Sequence, residues 1–187
     1  MDPVLIIVGV AVLVLILGIV LVVVSRSRSR SRRAALRSQF GDEYDRVVDE
    51  YGTRDGEREL RARLKRRREI EVRELGGDER ERFGQAWEAA QSTFVEHPST
   101  GLRDADLLVQ QVMRERGYPV ERFEERAKMI SVDHPDLVER YRAAHRTSTE
   151  VEEGRADTED MRQAMVDNRY LFDALLGGGD AARTRRM

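Results

Sequence analysis

The residues with the most direct potential for chemistry are histidines, and two of them lie beside a proline. Asp133 and His134 are adjacent in the segment SVDHP, and His145 follows on a predicted helix. A carboxylate can orient an imidazole for proton transfer, so these three residues are the candidates for acid–base catalysis. Neighbours in a chain rarely point at each other, however, and an Asp before a proline turn is typical of a helix N-cap. The structural interpretation of Asp133 is therefore favoured.

Other signatures of catalysis or ligand binding are missing from the sequence. His97 precedes another proline, and no two histidines have the HxxxH or HExxH spacing that holds zinc. There is no cysteine, which excludes a thiolate nucleophile and cysteine-ligated metals. The triple glycine at 177–179 follows a predicted helix instead of opening one, so it is not a phosphate loop. The sequence predicts no cofactor and no metal, and it favours a protein without catalytic activity.

A second chemical feature is the basic run from Arg61 to Arg68, in which six of eight residues are Arg or Lys. Such a run is typical of a contact with nucleic acid or lipid headgroups. The alternative is a solvated helix face whose charge is balanced by neighbouring glutamates, as in the spacing of Glu57 and Arg61. The second interpretation is favoured, and nucleic acid is not an expected partner.

The strongest pattern in the sequence is the apolar run over residues 3–24, which contains no charged side chain. As a helix its 22 residues cover about 33 Å, enough for the roughly 30 Å hydrocarbon core of a bilayer. A cleaved signal peptide would have a basic start and a shorter apolar core, whereas this chain begins with Met1 and Asp2. We therefore predict a transmembrane anchor over residues 1–24.

A block of arginines follows the apolar run and predicts its orientation. Because positive flanks stay on the cytoplasmic side, we expect the N-terminus outside the plasma membrane and residues 25–187 in the cytoplasm. Removing Asp2 and these arginines from the whole-chain charge of −2 leaves −6 for residues 34–187, so the soluble part is acidic. The predicted partners of the block are the bilayer and its anionic lipid headgroups. Its members are Arg26, Arg28, Arg30, Arg32 and Arg33.

The segment between the anchor and the compact part is predicted to be a basic linker followed by a charged helical arm. The arginine–serine linker covers residues 25–35, and the arm covers 36–75. Within the arm, Gly52 is a plausible helix stop. Residues 54–74 have few apolar side chains, so we expect a long and largely solvated helix there.

The rest of the chain is predicted to be a bundle of about five helices over residues 78–177, because apolar residues recur at helical spacing and no strand pattern occurs. The first helix buries Phe83, Trp87 and Phe94 on one stripe and ends near His97. Residues 131–135 are predicted to be a turn, and Asp157 or Thr158 caps the last helix. The fold class is therefore all-α, and residues 178–187 are predicted to be a disordered tail.

Several segments support a resemblance to a known family. The runs ERFGQAWEAAQSTFVEHP, VMRERGYPVERFEERA and SVDHPDLVERYRAAH, with their RGYP and SVDHP motifs, resemble a family of small uncharacterised single-pass membrane proteins of actinobacteria. The resemblance covers most of residues 36–176. It implies an anchored helical domain without an assigned activity, so it transfers no catalytic residues.

These observations predict a membrane-anchored adaptor, scaffold or regulator at the cytoplasmic face, with no catalytic activity apparent. The grooves of the bundle and the charged residues 54–74 are the expected contacts with a protein partner. The alternative is a small enzyme or ligand-binding domain that uses Asp133, His134 and His145. A weaker third hypothesis is a nucleic-acid tether through residues 61–68.

Overall fold

The computed structural model of the chain describes residues 30–178, and every regular element in that range is a helix. The all-α prediction is therefore confirmed for this part of the chain. None of the helices in it is long and apolar enough to cross a membrane. The predicted span at 3–24 lies outside the described residues, as do Arg26 and Arg28.

Two compact units divide the chain after Gln39. The described residues of the first unit are 30–39 of helix α1 (residues 30–40), on which Arg30, Arg32 and Arg33 are exposed. The second unit contains the remaining described helices. These are α2 (Asp42–Glu69), α3 (Gly77–Glu96), α4 (Pro98–Glu115), α5 (Phe123–Asp133), α6 (Val138–Glu152) and α7 (Thr158–Asp173), whose end continues as a π-helix (Ala174–Gly178).

Helix α2 is a helical hairpin, because its backbone leaves the helical region at Gly52 with φ 75° and ψ 160°. The two halves pack closely at Gly56, where an added Cβ would lie 2.9 Å from the Val47 carbonyl oxygen. The Tyr44 hydroxyl donates to Glu57 across the pair at 3.3 Å. Gly52 thus breaks the helix as predicted, since a positive φ is accessible to glycine at little steric cost.

The prediction of a largely solvated helix over 54–74 is wrong about the end of the helix and holds only in part for its exposure. The helix ends at Glu69, and its second half buries Leu60 and Arg63 against the rest of the protein. Helix α2 packs on α5, and the partners of its arginines lie far away in sequence. A local pattern cannot reveal such partners, so the sequence suggested solvent where the structure has a protein contact.

An extended segment joins α2 to α3 and lies along the end of α4. The Arg73 backbone N–H donates to the Arg116 carbonyl at 3.0 Å, and the Arg116 side chain donates to the Arg73 carbonyl at 3.2 Å. Gly117 has φ 88°, and an added Cβ would lie 2.5 Å from the Glu71 carbonyl oxygen. A larger residue at 117 would therefore both strain the backbone and displace this segment.

The main core lies among α3, α4 and α7, with further residues from α5 and α6. Trp87 is 2 % exposed and stacks on Phe172 with ring centroids 4.8 Å apart, which confirms the prediction that it is a core residue. Val109 and Val112 of α4 are fully buried, as the apolar spacing predicts. Burial of these side chains provides the main driving force that holds the helices together.

The predicted turn at 131–135 is wrong at its start, because α5 continues through Asp133. The Ser131 hydroxyl donates to the Lys128 carbonyl at 2.7 Å, so this serine is satisfied within the helix. Pro135 disfavours helix at the preceding residue, and His134 accordingly has φ −136° and ψ 65°. By contrast, the predicted cap at Asp157 is confirmed, since its side chain accepts from the Asp160 backbone N–H at 2.8 Å.

Candidate functional site: charged clusters and a surface groove

Asp133 is a structural carboxylate at the end of α5. One of its oxygens accepts from the Tyr118 hydroxyl at 2.5 Å and from the Arg67 side chain at 2.6 Å. It therefore joins α2 to the segment after α4 instead of capping the next helix, and the N-cap prediction for Asp133 is wrong. Burial and the neighbouring Asp133 carboxylate both raise the pKa of Tyr118. The hydroxyl is thus a stable donor across the physiological pH range.

Two half-buried histidines, His134 and His145, have different surroundings. His134 follows the last residue of α5. Burial lowers its pKa, although the nearby Asp133 carboxylate acts in the opposite direction. His145 stacks on the Phe123 ring with centroids 3.7 Å apart. Burial lowers the pKa of His145, although the Asp106 carboxylate acts in the opposite direction. The charged neighbours of one imidazole are not those of the other. The structure therefore does not bring Asp133, His134 and His145 together into one site.

Metal binding has no support in the described part of the chain, residues 30–178. There, no three His, Asp or Glu side chains are close enough to one another to hold a metal ion. His97 is exposed between α3 and α4, where its backbone N–H donates to the Thr93 carbonyl at 2.8 Å.

A buried carboxylate, which the sequence analysis missed, holds three helical segments together. Glu43 is fully buried and accepts from Arg63 at 2.6 Å, from Arg142 at 2.7 and 2.9 Å, and from Arg46 at 2.9 and 3.0 Å. These arginines come from both halves of α2 and from α6. Burial alone would raise the pKa of Glu43, but the hydrogen bonds from the three arginines lower it to about 2. Glu43 is therefore ionised and links the three helical segments through its hydrogen bonds with these arginines.

The sequence does contain a signal for this buried carboxylate. Glu43 lies between Phe40 and Val47 at spacings of three and four residues, so it occupies the apolar face of the predicted helix. A charged side chain on such a face either destabilises the fold or is paired with an opposite charge, because burying an isolated charge costs a large free energy.

The basic run from Arg61 to Arg68 is largely compensated by carboxylates of the same chain. Five of its six basic residues form ion pairs at distances between 2.6 and 3.9 Å, namely Arg61 with Glu57, Arg63 with Glu43, Lys65 with Glu69, Arg66 with Glu125, and Arg67 with Asp133. Three of the acidic partners lie outside α2's second half, so the run connects the hairpin to α5 as well as to itself.

The described bundle carries an open groove of mixed polar and apolar lining between α3 and α4, here called the α3–α4 groove. The two helices approach closely at Gly101, where an added Cβ would lie 2.4 Å from the Phe94 backbone. Beyond this contact they leave a depression of about 300 Å³. Its lining residues are Ala86, Ala89, Ala90 and Thr93 of α3, and Asp104, Leu107, Leu108 and Gln111 of α4.

The groove is notable for its combination of small and large apolar residues. Three of the four lining residues on α3 are alanines, and Leu107 on the α4 side is 48 % exposed. Large apolar side chains exposed next to a concave surface are typical of sites where proteins bind one another. Ala86 and Ala90 also pack on the core, so they lie at the boundary between the core and this groove.

No protein-family model, curated protein or solved structure matched this chain. The resemblance to actinobacterial single-pass membrane proteins therefore stays a prediction from the sequence segments themselves.

Proposed function

We propose that this chain is a membrane-anchored helical scaffold that binds a helix of a protein partner in the α3–α4 groove at the cytoplasmic face of the plasma membrane. The observation that carries the proposal is the groove itself, with exposed Leu107 beside a surface of alanines. An amphipathic helix places apolar side chains into such grooves, and burial of those side chains supplies the binding free energy.

The other chemically suggestive residues support this choice, because their side chains are used inside the protein. Asp133 binds Tyr118 and Arg67, and most of the basic run binds carboxylates of the same chain. The groove has no comparable internal occupant in residues 30–178. The anchor comes from the sequence alone, through the apolar run at 3–24 and the arginines that follow it.

A photoreactive side chain in the groove tests this function. We would place a photoreactive phenylalanine analogue at Leu107 of the full-length protein in its native membranes, and in a matched control at Tyr170, which is 52 % exposed on α7. We expect a protein adduct of one discrete mass from position 107 and none from position 170. Addition of Ala89→Arg should abolish the adduct, because a charge in the groove opposes apolar contact.

The proposal is contradicted if position 107 yields only lipid adducts or the same adducts as position 170. Membrane fractionation of the same cells checks the anchor independently, since the protein should remain with the membranes after a high-salt wash.

A further inference from the structure

We infer that the exposed face of the second half of α2 docks on anionic phospholipid headgroups at the surface of the membrane that anchors the chain. This inference rests on the proposed function, because the anchor is what holds the domain beside the bilayer. It adds a second membrane contact, separate in the chain from the arginines of residues 26–33. The face, here called the basic face of α2, consists of Arg54, Arg58, Arg61, Lys65 and Arg68.

The spacing of these five residues places them together. They follow one another at intervals of four, three, four and three residues, so on an α-helix they lie within an arc of about 80°. All five are exposed, whereas Gly56, Leu60 and Arg63 are buried on the opposite side of the helix. The row from Arg54 to Arg68 is about 21 Å long at the rise of an α-helix. It is therefore a continuous line of positive charge that faces solvent.

The structure divides the basic residues of this helix into two sets. Arg63, Arg66 and Arg67 pair with carboxylates outside this half of α2. In residues 30–178 the basic face forms salt bridges only with acids of its own helix, and Arg54 and Arg68 form none. The three pairs are Arg58 with Asp55, Arg61 with Glu57, and Lys65 with Glu69.

These local pairs leave the basic face positively charged and accessible. Three acids against five bases give a net charge of +2, and two of the acids, Asp55 and Glu69, are themselves exposed. Ion pairs between exposed side chains contribute little to stability, so exchanging them for lipid phosphates costs little. A cluster of several basic residues on one helix face next to a membrane anchor is typical of binding to anionic lipids.

The charge of the rest of the chain supports the same orientation. Residues 53–69 contain eight basic and four acidic side chains, a net charge of +4, although residues 34–187 carry −6 in total. The other residues of that range therefore carry −10. An anionic surface attracts the basic face and repels the remainder, so the electric field of the domain turns α2 towards the lipid.

The anchor favours lipid over nucleic acid as the anionic partner. Nucleic acid would have to bind from solution, against repulsion by the acidic remainder of the domain. The lipid surface is instead held beside the domain by the anchor at residues 3–24, so its effective concentration is high. A modest attraction through five basic side chains is then sufficient for docking.

Docking through α2 is compatible with the proposed contact in the α3–α4 groove. Helix α2 packs on α5, and none of the residues that line the groove belongs to α2. The two surfaces share no residue, so lipid and a partner helix do not compete for the same side chains.

Contact quenching in nanodiscs tests the docking. The full-length protein would be reconstituted in phosphatidylcholine nanodiscs, with or without phosphatidylserine, that contain a lipid with a nitroxide quencher on its headgroup. The chain has no cysteine, so Ala62→Cys, at an exposed position of α2 beside the basic face, takes a single fluorophore. The matched control is Tyr170→Cys, at an exposed position of α7. We expect quenching at position 62 only with phosphatidylserine, none at position 170, and loss of quenching at about 1 M salt, where charges are screened.

Charge reversal identifies the face that is responsible. Arg54→Glu together with Arg68→Glu reverses both ends of the basic face and should lower the ratio of docked to undocked protein at least about tenfold. The control combines Arg103→Glu with Arg114→Glu, at two exposed positions of α4, which changes the net charge equally and should leave the quenching at position 62 in place. Circular dichroism checks that each variant keeps its helices.

Other outcomes would overturn the docking. Equal quenching at positions 62 and 170, or equal quenching with and without phosphatidylserine, would exclude a charge-dependent contact at this face. Equal losses in the two double variants would mean that net charge, and not the basic face, is responsible. If position 62 is not quenched but a DNA duplex binds the protein in neutral nanodiscs, and Arg54→Glu with Arg68→Glu abolishes that binding, the face contacts nucleic acid instead.

Failure of this inference is distinguishable from failure of the proposed function. A chain that nanodiscs retain, but whose position 62 is not quenched, has its anchor and lacks the lipid docking. A chain that nanodiscs of neither composition retain has no anchor, and both proposals fail. The groove is tested separately by the photo-adduct at Leu107.

Discussion

At the scale of single residues, Glu43 is the most consequential charge in the described structure. It is fully buried, and it receives hydrogen bonds from arginines on three helical segments. Breaking a buried ion pair by removing one partner costs much more than the pair itself contributes, because a charge is left without compensation. Two predictions follow from this chemistry.

The first concerns the substitution Glu43→Gln, which keeps the shape of the side chain and removes its charge. We expect the free energy of unfolding to fall by about 3 kcal/mol, since Arg63 and Arg142 would stay largely buried without a counter-ion. Urea unfolding of the full chain in detergent would measure this, with the single tryptophan, Trp87, as the fluorescent reporter.

The matched control is Glu50→Gln. Glu50 also pairs with Arg46, but its side chain is 47 % exposed, so the expected change is within about 0.5 kcal/mol. Equal losses for the two substitutions would show that burial of the Glu43 cluster is not the source of stability.

The second prediction concerns acid. Hydrogen bonds from arginine lower the pKa of Glu43 from its ordinary 4.5 to about 2, in spite of burial. A lowered pKa in the folded state means that stability is fully present above the unfolded value and is lost as pH falls. This group should therefore lose about 3 kcal/mol of stabilisation between pH 4.5 and 2.

A comparison of unfolding midpoints at several pH values checks this effect. The midpoint of the natural chain should approach that of Glu43→Gln as the pH falls below 4.5, the ordinary pKa of the carboxyl. Midpoints that stay equally far apart down to pH 2 would mean that Glu43 is not the titrating group.

At the scale of elements, the spacing of α3 and α4 determines the groove. Gly101 allows the two helices to touch at one end, since a Cβ there would lie 2.4 Å from the Phe94 backbone. Gly84, on α3, has no neighbouring atom within 4 Å of an added Cβ. The two glycines thus form a natural pair for comparison, because one is required by packing and the other is not.

We predict that Gly101→Ala destabilises the protein by about 1–3 kcal/mol, because the backbone of α3 would have to move away. Gly84→Ala should instead stabilise it by up to about 1 kcal/mol, because alanine is the better helix former. Thermal unfolding of both variants, followed by circular dichroism, would measure the difference. A stabilising Gly101→Ala would contradict the close contact between the helices.

The hairpin α2 and the interior bundle differ in what holds them. The buried core residues of the bundle come from the segment after Ile70, whereas α2 meets α5 and α6 through ion pairs such as Arg67 with Asp133 and Arg142 with Glu43. Salt screens partly exposed ion pairs more than buried ones. The side chains of Arg67 and Asp133 are 23 % and 21 % exposed, so this pair should depend more on ionic strength than the pairs of the fully buried Glu43.

At the scale of the whole molecule, the anchor and its orientation are the proposals with the widest consequences. The apolar run at 3–24 followed by five arginines predicts that residues 25–187 face the cytoplasm. An external protease should therefore leave a C-terminal tag intact in whole cells and remove it once the membrane is permeabilised. Removal of the tag in intact cells would show that the orientation is the opposite one and that the groove does not face the cytoplasm.

Much of the helical architecture could be predicted from the chain alone. The stripe that contains Phe83 and Trp87, the helix break at Gly52 and the cap at Asp157 all depend on neighbours within one or two turns. Such local patterns are visible in a sequence because helix periodicity repeats over short distances. The prediction of a turn and a helix cap at Asp133 is wrong because its side chain binds Arg67 and Tyr118 in other elements, which a local pattern cannot show.

The sequence by itself thus determined the all-α class of the described residues, their buried faces and the acidic balance of residues 34–187. Only the tertiary structure decided that Glu43 joins three helical segments, that the basic run is compensated within the chain, and that Leu107 lies beside an open recess of alanines. The physical reason is that each of these features depends on contacts between residues from separate helices. Their proximity arises from the packing of the helices and leaves no periodic trace along the chain.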